Sequence, residues 1–375
     1  MARRGIFRGS RPPALNTMAL KRLIGSWDGW LAGATTLLVA LSTVAMMSAG
    51  SVLHQGLALR HGVWVGLGML AGASAARLGA GRWLDGAWAL YGVSLLLLGW
   101  VLVGGASRLG ATRWLSIGGF SLQPTELAKL STVLMLARVM GEAARVPLPT
   151  RVAWGSLWVA AVPAGLTFLQ PDLGSSTIFV AMWAGMAWAA GLSRGLTTLL
   201  CGGGLAVLPV GWAVLKDYQR ARLLAFLNPG ADPLGAGYTI IQSTIAIGSG
   251  QLWGRGWGQG PQTQLRFLPE RHSDFIFSVI GEEWGWVGCL VVLTCLGIVV
   301  WRALDLALIA STRQARLLAA GVASWLGYQA LVNVGMVTGV LPVVGVPLPL
   351  VSYGGSSMVS VWVALGLLHS LAHRP

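Results

Sequence analysis

The sequence predicts an all-α polytopic membrane protein of about ten transmembrane helices, with a large extracytoplasmic loop between the seventh and the eighth. Three observations carry this. Of 375 residues, 55% are hydrophobic and only 10% are charged, against about 25% charged residues in a soluble domain; mean hydropathy is +0.68. Apolar runs of about 20 residues, the length that crosses a bilayer as a helix, follow one another along most of the chain. The 53 glycines and 19 tryptophans suit close helix packing in lipid and the interfacial aromatic belts.

Taken in order, residues 1–27 form a basic cytoplasmic tail with Arg3, Arg4, Arg8, Arg11, Lys21 and Arg22. No cleavable signal is evident, because the apolar run that follows is long enough to remain as a first span. Residues 28–375 read as a single membrane domain. Spans fall near 28–50, 61–78, 84–104, 122–140, 152–169, 173–192, 195–215, 275–301, 316–338 and 352–371. Arg77, Arg82, Arg138, Arg145, Arg151, Arg194, Arg302, Arg313, Arg316 and Arg374 fall on the side of the tail, whereas the short loops opposite hold Arg60, Arg108 and Arg113. The termini are therefore expected in the cytoplasm. The net charge of +14 follows from this topology and does not point to nucleic acid. Cys201, Cys289 and Cys295 lie inside spans without metal-ligand spacing and read as small core residues.

The loop at 216–274 is the exception to the charge rule, as long loops are translocated regardless of charge. Its Lys216, Arg220, Arg222, Arg255, Arg266 and Arg271 point to an outer face that handles something anionic. Asn228-Pro229-Gly230 and Asp232-Pro233 mark turns, and Tyr238 to Ile247 is a short helix on or in the membrane surface. The glycine-rich GSGQLWGRGWGQGPQTQ is a weak phosphate-binding signal, since no strand precedes it. There is no internal repeat beyond the echo of Gln123-Pro124 in Gln170-Pro171.

Five constellations carry candidate chemistry. Asp274 closes the run Glu270-Arg271-His272-Ser273-Asp274, where the most polar part of the chain meets an apolar span. It reads as a helix N-cap or as a catalytic acid whose pKa is tuned by apolar surface. Glu126 and Lys129 are i and i+3 on one helix face inside a span, either a structural pair or a functional one that contacts lipid phosphate or supports the acid site. Arg113 beside Trp114 is an interfacial anchor or a phosphate clamp. Asp172, after Gln170-Pro171, reads as a turn residue. From Asn333 to Ser360, Pro342, Pro347 and Pro349 break the helix, and Gly354, Gly355, Ser356 and Ser357 permit close approach by a ligand. Irregular backbone at membrane depth is tolerated where it is buried or lines a wet cavity.

The segments GATRWLSIGGFSLQPTELAKL, QPDLG, FLPERHSDFIFSVIGEEWG and NVGMVTGVLPVVGVPLPLVSYGGSS, in this order, resemble the SEDS family of shape, elongation, division and sporulation proteins. FLPERHSDFIF and the GEE after it are more similar to the elongation member RodA than to the division member FtsW. The resemblance covers the chain from the first span to the last. It implies a ten-helix bundle that polymerises lipid II into peptidoglycan outside the plasma membrane during elongation. It further implies release of undecaprenyl diphosphate, a class B penicillin-binding protein as partner, and a divalent cation, Mg or Mn. By motif position Asp274 matches the family's essential aspartate, Glu126 and Lys129 its buried ion pair, and Asp172 the acid after its Gln-Pro. Thr125 stands where many members carry serine.

On this reading Asp274 is the general base, and Arg113, Lys129, Arg271 or a bound cation meets the charge on the leaving group. Glu270, His272, Ser356 and Ser357 support the site. The isoprenoid tails lie in grooves between helices, among membrane lipids. The alternative is a lipid II flippase, for which polar residues through the whole bilayer depth and repeated halves are expected. A third reading, a scaffold, leaves Asp274 and the ion pair unexplained.

Overall fold

The computed structural model describes residues 28–50, 56–104, 106–108, 111–117, 120–143, 145–215, 217–235 and 237–372; the basic tail lies outside them. The helices are α1 (Gly29–Gly50), α2 (Leu57–Leu78), α3 (Ala80–Asp85), α4 (Ala87–Gly104), α5 (Pro124–Gly141), α6 (Thr150–Leu169), α7 (Leu173–Ala189), α8 (Arg194–Val214), α9 (Asp217–Leu227), α10 (Tyr238–Ser249), α11 (Pro261–Gln264), α12 (Ile276–Ile309), α13 (Arg313–Val337) and α14 (Gly355–Ala372). Each expected span coincides with one of these, with α3 splitting off the start of the third. Among the described residues six helices are long and apolar enough to cross a membrane: α1, α4, α6, α12, α13 and α14. The chain is a multi-pass membrane protein.

The core is built from α5, α13 and α14, which are buried nearly all round, packed against α7 and the first two turns of α12. The outer helices show the opposite pattern. Trp88, Leu96, Trp100, Trp158, Trp188 and Leu308 are exposed, which is the stable arrangement when the surroundings are hydrocarbon rather than water. Helix α2 lies along α14 at close range: a Cβ on Gly72 would come 2.5 Å from the carbonyl oxygen of Trp362, so only a small residue permits the approach.

Two features depart from an all-helical reading. Between α4 and α5 stands a three-stranded antiparallel meander, β1 (Ala106–Arg108), β2 (Ala111–Ile117) and β3 (Phe120–Leu122), with Trp114 opposite Ala106 and Leu115 opposite Leu122. Its strands are separated in sequence by Leu109-Gly110 and Gly118-Gly119, a two-residue spacing that favours tight hairpins. The short outer loop expected to hold Arg108 and Arg113 is thus a small sheet, two of whose strands, at three residues each, are too short to show alternation in the sequence.

The second is a kink in α12 at Gly285, whose φ of 67° and ψ of −159° break the helical path. The amides freed there are satisfied by the glycine-rich loop, as Trp286 and Val287 donate to the carbonyls of Gln251 and Leu252 at 2.8 and 3.2 Å. In return Arg255 and Gly256 donate to the carbonyls of Glu282 and Glu283. A Cβ on Gly254, itself at φ +83°, would stand 2.1 Å from the Glu283 carbonyl. Gly250, Gly254 and Gly260 of this loop allow its close packing on α12, a structural reason for glycine at those positions.

Candidate active site

The site begins with a turn. Residues 269–275 enter α12 with Phe275 at the N-cap, and among the described residues no side-chain capping hydrogen bond forms there. Asp274 therefore does not take the capping role that its position allowed. The turn leans on the irregular segment between α13 and α14. Tyr353 donates its amide to the carbonyl of His272 at 2.9 Å, and the hydroxyl of Ser352 donates to that of Ser273 at 2.6 Å. Inside that segment Val346, Leu348, Leu350 and Val351 are buried, and several of its carbonyls are met by side chains from neighbouring helices. Asn333 donates to Val346 at 2.6 Å, Gln329 to Pro347 at 2.8 Å and Ser42 to Val351 at 2.6 Å. A backbone without helix survives among helices because its polar groups are paired in this way.

The carboxylate of Asp274 lies against Gly345, which sits at φ +70°; a Cβ there would come 3.2 Å from Oδ2. Asp274 keeps an edge open to solvent but is otherwise enclosed. Burial, with the charges of Glu270 and Asp172, pushes its carboxyl up to about 7, against the opposing pull of Arg113 and Arg222. An acid with this value is divided between its two protonation states at neutral pH. Val344, the residue before Gly345, lines a shallow open hollow whose polar side is Arg113, Gln219 and Arg222 and whose apolar side includes Pro171, Leu173 and Pro342. A cationic, half-apolar hollow suits an anionic head group attached to a hydrocarbon chain.

The expected site residues divide between those facing Asp274 and those holding the frame. Asp172 caps α7, accepting from the Ser175 amide at 3.1 Å and its hydroxyl at 2.9 Å, so its turn role holds. Its charge also reaches Asp274. Arg113, on β2, donates to the carbonyls of Gln170, at 3.3 Å, and Pro171, and lies 3.9 Å from Asp172. It is a tether between the meander and α7 that also lines the hollow. Arg271 donates to the carbonyls of Ala49 and Thr263 at 3.0 and 2.7 Å, and desolvation, with Arg266 nearby, lowers its pKa. It fastens the loop rather than offering an open cation. Glu270 accepts from the Ser273 hydroxyl at 3.2 Å, and His272 stands 3.9 Å from Glu270 and edge-on to Tyr353. Ser356 accepts the Gln123 amide at 3.0 Å, joining the starts of α5 and α14; Ser357 is partly exposed one residue on.

Glu126 and Lys129 form the expected pair at 2.7 Å, with side chains 1% and 0% exposed. Such burial keeps the pair out of reach of a lipid phosphate and agrees equally with a structural pair and with support of the acid site. Lys129 also donates to Oε1 of Gln329 at 3.0 Å and lies 5.4 Å from the centre of the Trp325 ring. Trp325 donates to the same Oε1 at 2.8 Å. Among the described residues no group of three or more His, Cys, Asp or Glu side chains converges as a metal site.

Sequence reasoning missed Gln329, Asn333, Glu282 and Glu283. Glu282 accepts the amides of Gln262 and Thr263 at 2.8 and 3.0 Å and the Thr263 hydroxyl at 2.6 Å, holding α11 against α12. Glu283 accepts from Ser48 of α1. The signal for the first two was present: Gln329 and Asn333 are polar residues four apart inside the apolar run 316–338, and polar groups within a span are functional candidates by default.

Comparison with known proteins gives one answer throughout. The cell cycle protein family FTSW_RODA_SPOVE matches residues 29–375. The chain is 43% identical over 268 residues to the peptidoglycan glycosyltransferase MrdB of Escherichia coli K12, covering 69% of this chain and 70% of that one. It is 37% identical over 357 residues to the probable peptidoglycan glycosyltransferase FtsW of Halomonas elongata, covering 91% and 89%. Among solved structures it is similar to a chain of a peptidoglycan synthase complex that coordinates polymerization and crosslinking, with a TM-score of 0.79, 37% identity and coverage of 93% and 98%. It is also similar to the rod shape determining protein RodA of Thermus thermophilus, with a TM-score of 0.69, 31% identity and coverage of 92% and 96%. Taken with the helical bundle, the buried Glu126–Lys129 pair and the Asp274 turn, these matches place the chain in the SEDS family of FtsW/RodA proteins.

Proposed function

We propose that this chain is a peptidoglycan glycosyltransferase that polymerises lipid II on the outer face of the bacterial plasma membrane during elongation, with Asp274 as general base. The observation that carries the assignment is the enclosed Asp274 carboxyl, pushed up to about 7 and packed on Gly345, one residue along from Val344 in the wall of a hollow with cationic and apolar sides. Both termini are cytoplasmic in this reading, about ten helices cross the bilayer, and the loop at 216–274 faces outward.

A sugar hydroxyl is far too weak an acid to ionise at neutral pH, so its proton must leave as the new bond forms. The acceptor oxygen attacks the anomeric carbon of the growing chain. The bond from that carbon to the diphosphate oxygen breaks, and its electron pair departs with undecaprenyl diphosphate. The hydroxyl proton passes to Asp274. A base with a pKa near the working pH combines a large unprotonated fraction with useful proton affinity. The charge appearing on the diphosphate falls beside Arg113 and Arg222. One carboxylate suffices, because a single displacement forms no covalent sugar–enzyme bond. A divalent cation, if bound, would be held chiefly by the substrate's phosphates and would supply positive charge to the departing diphosphate. The protein alone does not assemble its ligands, and no step above runs through it. Likeness to a chain of a polymerising and crosslinking complex supports a class B penicillin-binding protein as partner.

The test is polymerisation of lipid II by purified Asp274→Asn protein. Normal product from a folded variant rules out the base assignment. A variant dead in polymerisation while wild type only flips lipid II in liposomes would favour transport.

A further inference from the structure

Two carboxamides on α13, Gln329 and Asn333, stand one helical turn apart and therefore share a face. Both are fully buried. The single amide nitrogen of Asn333 donates twice, at 2.8 Å to the carbonyl of Asp274 and at 2.6 Å to the carbonyl of Val346. The first bond holds the backbone of the acid itself. The second holds the residue after Gly345, against which the acid's Oδ2 lies. One side chain thus sets both the origin of the carboxylate and the wall beside it. One turn earlier Gln329 donates to the next carbonyl of that wall, Pro347, at 2.8 Å, while its oxygen receives Lys129 at 3.0 Å. The Glu126–Lys129 pair and the Asp274 turn, on different elements, are joined through these two amides and the strip of main chain between them.

We propose that Asn333 is a positioning residue for Asp274, and that Gln329 beside it ties the Glu126–Lys129 pair to the same strip, so that α13 holds the two polar centres in register. This rests on the reading of Asp274 as the base. Its physical content is geometric: a reacting group displaced by about 1 Å loses on the order of 100-fold in rate. Asn333 itself does not line the substrate hollow.

The test uses the full chain in detergent or nanodiscs with lipid II, comparing wild type, Asn333→Ala and Asp274→Asn. Asn333→Ala should lower kcat about 30- to 100-fold with KM within about threefold. Its acid limb should also move. Asp274 is faced by Glu270 from its own turn, Asp172 from α7, Arg113 from β2 and Arg222 from α9. With the turn loosened, water enters and the burial that raises its pKa weakens, so activity should persist to a pH lower by about one unit. A purely structural role would reduce the amount of active protein without moving that limb, and would overturn the proposal. Wild-type kcat with an unmoved limb in Asn333→Ala, beside an inactive Asp274→Asn, would also overturn it while leaving the base intact. An active Asp274→Asn would instead overturn the base. Should Asn333→Ala fail to fold, Asn333→Ser, which keeps one donor, is read in its place with an expected loss of about 5- to 10-fold.

Discussion

Replacing Asp274 with Asn should inactivate the protein and stabilise it. The carboxyl has its ordinary value of 3.8 in the unfolded chain and is pushed up to about 7 in the fold, chiefly by burial and then by Glu270 and Asp172. The folded state holds the proton more tightly than the unfolded state, so this group's contribution to stability is complete below pH 3.8. It is lost as the pH rises through the interval up to about 7. At about 1.36 kcal/mol per pH unit the full cost of folding around the ionised acid is about 4 kcal/mol. The edge of Asp274 open to solvent reduces it, to about 2–4 kcal/mol. Asparagine keeps the shape and carries no charge. At pH 8 the variant should therefore unfold at a higher temperature than wild type by several degrees, and at pH 4 the two should nearly coincide. Polymerisation should fall 10²- to 10⁴-fold, the usual contribution of a positioned base. Wild-type activity should rise with pH through about 7 as Asp274 loses its proton. The assays are thermal unfolding at the two pH values and lipid II polymerisation across the range. A variant less stable than wild type at pH 8, or a difference that does not change with pH, would refute the idea that the site holds a strained charge.

Three further outcomes follow from the frame. Lys129→Met should destabilise by about 3–5 kcal/mol, because it leaves the Glu126 carboxyl buried without its partner; adding Glu126→Gln should recover much of that in thermal unfolding. Gly285→Ala places a side chain at φ +67° and against the backbone of Gly254 and Leu252, and should cost at least about 1–3 kcal/mol in the same assay. Glu282→Ala removes the acceptor of three hydrogen bonds to Gln262 and Thr263. It should cost about 2–4 kcal/mol, and limited proteolysis should then cut first between residues 250 and 265.

Much of this protein could be read from its residues in order. Lipid forces backbone groups to pair within each segment, so every apolar run of sufficient length had to become a helix, and the helices stand where the runs are. The Glu126–Lys129 pair was equally legible, since i,i+3 residues on one helix meet whatever the rest of the chain does. Asp274 stood out by its place at the boundary between polar loop and span. What the sequence could not supply was everything that depends on residues distant in the chain. Arg113 could be an anchor or a clamp until the fold brought the carbonyls of Gln170 and Pro171 within its reach. Gly250, Gly254 and Gly260, a weak phosphate signal in the sequence, lie against α12. The environment of Asp274 is set by Asp172 from α7, Gly345 from the segment after α13 and Asn333 from α13 itself. Local periodicity determines which segments are helices because it acts within one turn; a pKa is determined by whatever charge and apolar surface lie within a few ångströms, and only the tertiary structure decides which residues those are.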